Sequence, residues 1–277
     1  MIRRFPEKWV PEGFETKTPQ PGMKVISPAG EDSPDWRVFA GYFERPEPTE
    51  PVITPRRHRA SFRTRAGETG YYIKKLSYRG SPLLKDIIRG FRFKKPWVLR
   101  QLQGALSVRD TGVRTVLPTL VMLCSYSPLK QEGLFVTRET PGPTLENSLQ
   151  ADLSWDEKLR LIDRYFEDIS RMHRSGIAYG ASQPRNVIVS GDELVWCDFD
   201  YVKPGARKYL KIKDIRRAVD YTLRAVTEEG ESSGEKTGDI SELYRKHFNL
   251  SPAEEALLIS RLRRKQSALD FDRFFRR

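Results

Sequence analysis

Leu194-Val195-Trp196-Cys197-Asp198-Phe199-Asp200 is the stretch on which the fold turns. Four apolar or weakly polar residues run straight into two carboxylates separated by one aromatic ring. Just upstream, Asn186-Val187-Ile188-Val189 is a second short apolar run, and Ser190-Gly191-Asp192-Glu193 lies between the two. Two short apolar runs flanking a Gly-containing turn predict a β-hairpin over 186–189 and 194–197. Asn186 then opens the first strand and Asp198 closes the second. A tight hairpin brings these two positions, twelve apart in sequence, to neighbouring strand ends. An amide oxygen and a carboxylate placed there are hard donors of the kind Mg²⁺ takes together with phosphate oxygens. Singly, an Asn or an Asp is more often a turn former or a solvated surface residue, so the ordered set carries the reading.

Before this hairpin, Ser154 can cap a helix in which Leu159, Ile162, Phe166, Ile169 and His173 recur at helical spacing, and Ser175-Gly176 marks its end. Further upstream the pattern is extended. Runs at 59–65 and 71–78 flank Ala66-Gly67-Glu68-Thr69-Gly70 and predict a hairpin. A helix broken near Pro96 is expected over 81–105, with strands over 111–125 and 133–139. The turn cluster Thr140-Pro141-Gly142-Pro143 is the expected lobe boundary. The predicted organisation is a Pro- and Gly-rich arm with short strands over 1–56, including the apolar piece Trp36 to Phe43, a strand-rich lobe over 57–139 and a helical lobe over 140–277. In the helical lobe the polar segment 227–238 reads as a mobile loop. Ser251-Pro252-Ala253-Glu254 reads as a capping box opening the last long helix.

Composition narrows the function classes. Hydrophobic residues make up 38% and charged residues 31% of the 277, a wet-surfaced globular balance, and no run reaches the roughly 20 apolar residues of a spanning helix. Met1-Ile2-Arg3-Arg4-Phe5-Pro6 has charges with no apolar segment behind them, so no secretory signal is read and a cytoplasmic protein is expected. Cys124 and Cys197 sit in apolar runs, and His58, His173 and His247 are too scattered for metal-ligand spacing. The formal net charge of +12 favours anionic partners.

A strand-rich half, a turn cluster, a long helix and then two short strands is the order of elements of a protein-kinase fold, an α+β architecture with an antiparallel-sheet N-lobe and a mainly helical C-lobe. Ile73-Lys74 lies late in the second hairpin strand, where a kinase places the lysine that holds nucleotide phosphates. Tyr71-Tyr72-Ile73-Lys74-Lys75-Leu76, Phe135-Val136-Thr137-Arg138-Glu139 with Thr144-Leu145, and Leu194 to Asp200 resemble the lysine strand, the hinge and the Asp-Phe-Asp metal loop of the lipopolysaccharide kinase (Kdo/WaaP) family. The match runs over roughly 57–205. The resemblance implies ATP and Mg²⁺ as cofactors, Lys74 and Glu139 at the nucleotide, Asn186 and Asp198 at the metal, and a sugar hydroxyl of a lipid-linked glycan as acceptor on the cytoplasmic side of the inner membrane. Strand alternation puts Lys74 and Lys75 on opposite faces, and Lys74 and Asp198 are expected to face one cleft.

Three departures from the kinase pattern stand beside the matches, one of them in the catalytic loop. Five residues before Asn186, where the family carries the Asp that accepts the hydroxyl proton, stands Ala181. No Glu occurs between Tyr78 and Lys130 to pair with the strand lysine, and Asp86 and Asp110 lie off the pattern. No Gly-x-Gly-x-x-Gly loop covers the phosphates. Asp200 is the nearest carboxylate that could replace the missing base. Two readings stay open, a slow sugar-lipid kinase and a pseudokinase that binds nucleotide or a partner. A third, a basic nucleic-acid-binding protein, rests on charge and on runs such as Arg56-Arg57-His58-Arg59, with no recognised motif. Two basic clusters, one of Lys85, Arg89, Arg92, Lys94, Lys95 and Arg100 and one of Arg261, Arg263, Arg264 and Lys265 followed by Phe271, Phe274 and Phe275, predict peripheral attachment to an anionic membrane surface, or to an anionic glycolipid such as a lipopolysaccharide core.

Overall fold

The computed structural model describes residues 9–30, 34–44, 59–78, 96–127, 130–226 and 234–263. The chain forms two compact units, one of residues 1–103 with 116–139 and one of 104–115 with 140–277. The first is built on an antiparallel sheet and the second is mainly helical, so the protein is α+β.

The sheet of the first unit has six strands: β1 (Phe14–Lys17), β2 (Met23–Pro28), β3 (Arg59–Ala66), β4 (Thr69–Tyr78), β5 (Pro118–Ser127) and β6 (Lys130–Arg138), in the order β1-β2-β5-β6-β4-β3. Its two faces follow from the period of two in each strand. Met23, Val25, Phe62, Tyr71, Ile73, Leu120, Met122, Leu134 and Val136 share one face and form a core with Phe39 and Phe43 of helix α1 (Arg37–Glu44). On the other face Gly133 lies opposite Leu76 in the β4–β6 register. A methyl group at Gly133 would come within 2.7 Å of Val98, so helix α2 (Trp97–Arg109) packs on that face.

Trp36 to Phe43, expected as part of a loose arm ending in strands, is instead helical. Trp36, Phe39, Ala40 and Phe43 recur at i, i+3, i+4 and i+7, and that stripe is what the sheet buries. The Pro and Gly on either side masked the period. β5 starts at Pro118, later than the expected position 111, because Asp110 to Gly112 form the turn that ends α2.

In the second unit, α3 (Leu145–Gln150) leads to α4 (Trp155–Arg174), which opens on a full capping box between Ser154 and Glu157. Its inward stripe of Ile162, Tyr165, Phe166, Ile169, Met172 and His173 is buried. The hairpin of β7 (Val187–Ser190) and β8 (Glu193–Trp196) follows, and then α5 (Lys208–Val226), α6 (Gly234–His247) and α7 (Pro252–Arg263). Trp196 is fully buried, stacked on Tyr165 at 5.4 Å and edge-on to Tyr179 at 4.7 Å. Each such ring stabilises the unit by about 1.5–3 kcal/mol through burial alone. Residues 234–238, expected within a mobile loop, belong to α6, whose Ile240 and Tyr244 are buried together with Phe248 just past its end. At α7 the Glu254 carboxylate accepts from the Ser251 amide and hydroxyl and lies 2.9 Å from Lys208. Those bonds hold its pKa at about 2.

The expected helix over 81–95 and the basic residues from Lys85 to Lys95, with Arg264 onward, lie outside the described residues. So do the side chains of Arg261 and Arg263. No helix among the described residues is long and apolar enough to cross a membrane.

Candidate functional site

Residues 179–186 of the second unit are hung from one carboxylate. Asp214 of α5 is 1% exposed and accepts from the Tyr179 amide at 2.6 Å, the Gly180 amide at 2.7 Å and the Ser182 hydroxyl at 2.5 Å. His173 Nε2 lies 3.3 Å from it. A buried carboxylate is tolerable only when its lone pairs are filled, and here one side chain holds three residues of the loop. Arg217 adds a donor to the Gly180 carbonyl. Gly180 has φ 81°, and any side chain there would run into the backbone of Tyr201.

Hydrogen bonds at Asn186 and at Tyr179 tie the loop to the hairpin. Cys197 N donates to the Asn186 carbonyl at 2.9 Å, continuing the β7–β8 pairing one step beyond Val187 and Trp196. The fully buried Tyr179 donates its hydroxyl to the carbonyls of Cys197 and Asp198. Burial, followed by the neighbouring Cys197 and Asp198, pushes the Tyr179 pKa well above its ordinary value, so it keeps the proton it donates. Asn186 and Asp198 are therefore brought to one edge. The Asn186 amide nitrogen donates to the Ala181 carbonyl at 2.8 Å, which turns its side-chain oxygen the other way.

Asp198 has φ 72°, and among the described residues it is the one non-glycine in the left-handed region. Such a conformation costs about 1 kcal/mol or more and persists where surrounding structure enforces it, often at functional sites. The enforcement is visible on both sides. Cys197 is tied to Asn186, and Phe199, 1% exposed, packs on Gly104 of α2, where a methyl group would sit 3.0 Å from the Phe199 backbone and Cβ. Beyond Asp200 the chain is pinned again. Lys203 and Ala178 exchange backbone bonds of 2.8 and 3.1 Å, and Ala206 N donates to Gly176 at 2.8 Å.

Mg²⁺ fits this edge by donor chemistry, since Asn186 Oδ1 and the Asp198 carboxylate are hard oxygen ligands. No group of three or more His, Cys, Asp or Glu that could hold a metal occurs among the described residues. Ala181 is 6% exposed and offers no side-chain acceptor.

In the first unit, Lys75 is on the α1 face, where it bonds the Tyr42 carbonyl at 2.5 Å and pairs with the buried Glu132 at 3.2 Å. Lys74 is on the opposite, α2-bearing face, in register with Phe135. The Glu139 carboxylate lies 3.3 Å from Arg63, and its amide donates to Gly70 at 2.9 Å, so this residue closes the β3–β4 hairpin. Asp110 is exposed at the end of α2, and Asp86 lies outside the described residues. Gln101 of α2 is fully buried, a polar side chain that the search for a carboxylate passed over. Asp214 and Tyr179 were also missed. The signal for Asp214 was a carboxylate set among Ile212, Ile215, Ala218 and Val219 on the buried stripe of α5.

No protein-family model matches the sequence, and no curated protein is similar to it in sequence. A solved structure of WaaP in complex with acyl carrier protein is similar in fold, with a TM-score of 0.57 and 19% identity over 88% of this chain and 97% of that one. The sheet unit and the helical unit are those of a kinase-like fold.

Proposed function

We propose that the chain is a lipopolysaccharide-kinase-like protein that binds ATP with Mg²⁺ and transfers phosphate slowly to a sugar hydroxyl of a lipid-linked glycan. The observation that carries this reading is the edge at 186–198, where two oxygen-bearing side chains are joined through the Cys197–Asn186 bond and one is held at positive φ. Bound there, Mg²⁺ would neutralise charge developing on the phosphate oxygens. Asn186 and Asp198 would hold the metal, Lys74 would contact the phosphates, and Tyr179 with Asp214 would fix the loop that presents the acceptor.

Ala181 sets the expected rate. General-base catalysis is worth about 10²–10⁴-fold, while positioning and electrostatics carry most of phosphoryl transfer. From a kinase turnover of about 1–100 s⁻¹, loss of the base leaves roughly 10⁻⁴ to 1 s⁻¹. Asp200 is the weaker candidate for a substitute base. The second reading is a pseudokinase, favoured by the methyl group of Ala181 in a loop otherwise fully anchored.

Calorimetric titration with ATP, with and without Mg²⁺, tests both. Magnesium-dependent binding supports the kinase-derived readings, and its absence leaves an interaction scaffold. Ala181→Asp then separates them, because raised transfer with unchanged binding identifies a slow enzyme. A wild type running at ordinary kinase rates, with no gain from Ala181→Asp, would show that the base is elsewhere. We further propose an anionic glycolipid or membrane surface as partner, on the net charge of +12. Salt-sensitive co-sedimentation with anionic but not neutral vesicles is expected, and equal binding to both would sink it. Acyl carrier protein, present in the WaaP structure, is a partner to try in a parallel binding assay.

A further inference from the structure

Gln101 puts an uncharged amide inside the first unit. It is fully buried on α2, one turn beyond Val98, beside the equally buried Leu99 and Leu102. A buried amide is nearly always hydrogen-bonded, so what lies beneath this turn of the helix decides what Gln101 does.

Two contacts fix how α2 lies on the sheet. Val98 sits over the row Leu123–Gly133–Leu76, where a methyl group on Gly133 would meet it at 2.7 Å. Farther along the helix, the Gln103 side-chain nitrogen donates to the Trp9 carbonyl at 3.5 Å. Trp9 leads into the edge strand β1, which starts at Phe14 opposite Pro28, two residues past the Ile26 that pairs with Val121. The chain from Trp9 therefore enters from the Val121 end of the sheet. From Val98 to Gln103 the helix advances from the Leu123 row toward the Val121 row, with the Gln103 flank turned to the β1 side.

At 3.6 residues per turn, Gln101 and Gln103 project about 160° apart, to opposite flanks. Gln101 thus faces the β4 side, about 4.5 Å along the axis from Val98. The next row of the sheet on this face, about 7 Å beyond Leu123–Gly133–Leu76, is Val121–Phe135–Lys74. Lys74 is its β4 member and the one polar side chain in it.

We infer that Gln101 positions Lys74, its amide oxygen accepting a hydrogen bond from the Lys74 ammonium. This deepens the proposed nucleotide role of Lys74 and rests on that reading. No Glu is present between Tyr78 and Lys130 for the task, and an amide differs from a carboxylate in one respect. It holds the ammonium in place and leaves its charge whole, for phosphate oxygens to meet. An ammonium has three N–H donors, so one bond to Gln101 leaves two for the nucleotide. Gln101 acts through Lys74 and touches no substrate itself.

Gln101→Leu removes the acceptor at similar bulk, and Gln101→Glu keeps an acceptor and adds a charge. In calorimetry on the full chain, Gln101→Leu is expected to weaken Mg·ATP binding about tenfold and Gln101→Glu no more than about threefold. In a Lys74→Met background, Gln101→Leu should change Kd by less than about twofold, because the group it positions is gone. That background folds, since Lys74 is half-buried and water takes the place of its ammonium. An equal loss in both backgrounds, as a merely structural role would give, overturns the inference, and so does an unchanged Kd in Gln101→Leu alone. Acylation of Lys74 by acetic anhydride at pH 8, read by peptide mass spectrometry without nucleotide, tests the contact by itself. A carboxylate at position 101 beside the ammonium keeps it protonated and should slow acylation about fivefold or more, whereas an unchanged rate in Gln101→Glu overturns the inference. Failure of the wild type to bind Mg·ATP removes the reading of function instead, and the acylation rate then decides alone.

Discussion

The loop at 179–186 and the segment at 197–200 meet across one hydrogen-bonded edge, but they have kept different things. The segment carries its chemistry in its own side chains, Asp198 and Asp200, and holds Asp198 at positive φ, a region that non-glycine residues enter uncommonly. The loop carries little chemistry. At position 181 it has a methyl group, yet three of its groups are fastened to a buried carboxylate. Burying that carboxylate is costly, and the cost is offset only if the loop keeps its path. The difference teaches that path and base are separable in this chain: shape is maintained at 179–186, and oxygen-bearing side chains stand at 186 and 198.

The harshest test of that separation is Asp214→Ala, which strands two backbone amides and a hydroxyl inside the second unit. At about 1–3 kcal/mol for each of the three orphaned groups, a loss of about 3–9 kcal/mol is expected in urea unfolding. Asp214→Asn keeps one acceptor oxygen and should lose roughly half as much. A loss under about 1 kcal/mol for the alanine variant would mean that the loop does not depend on this anchor.

Lys75→Met extends the comparison to two neighbouring lysines of the first unit. Lys75 is buried between Tyr42 and Glu132, so removing it is expected to cost about 3–5 kcal/mol. Lys74→Met should cost less than about 1 kcal/mol in stability and act instead on Mg·ATP affinity. If both variants lose stability equally, the assignment of Lys74 to nucleotide rather than structure is broken.

Asp198→Asn sharpens the other side. Asn tolerates the left-handed backbone at least as well as Asp does, so stability should hold within about 0.5 kcal/mol. Replacing a carboxylate ligand by an amide should weaken magnesium-dependent ATP binding about tenfold or more, or roughly 1.4 kcal/mol. Unchanged affinity would remove Asp198 from the metal.

Much of this was legible in advance wherever local pattern and tertiary demand agree. The hairpin at 186–197 is written in two apolar runs around Ser190-Gly191-Asp192-Glu193, and the opposite facing of Lys74 and Lys75 follows from strand alternation alone. α1 was hidden because its stripe of Trp36, Phe39, Ala40 and Phe43 spans only two turns between breakers. Asp214 and Tyr179 were hidden for a different reason. Their roles are bonds between residues 35 apart and 18 apart, which no local window contains. Position 181 could be found by counting back from Asn186, but the buried amide of Gln101 could not, because burial exists only relative to everything folded around it.

The smallest effect concerns the strand that delivers Asp198. Trp196 donates its indole N–H to Asp168 of α4 at 2.8 Å, and burial outweighs that bond to raise the Asp168 pKa to about 6. Arg171 and Arg164 favour the ionised form and Glu167 opposes it. Because the folded-state value lies above the ordinary one of 3.8, the folded protein holds a proton between about pH 4 and 6 that the unfolded chain has released. The free energy of unfolding therefore falls as pH rises through that window and is flat above it. Asp168→Asn keeps an oxygen for Trp196 without the charge, so it should be more stable than wild type at pH 7.5. The gain is about 1–3 kcal/mol at most, fading below pH 4. Paired urea titrations at pH 3.5, 5 and 7.5 would show the gap opening with pH. A variant less stable than wild type at pH 7.5 would mean that attraction from Arg171 and Arg164 exceeds the cost of burying the charge. Asp168 would then be an ion-pair partner of α4 rather than a buried acceptor for Trp196 whose charge is disfavoured by burial.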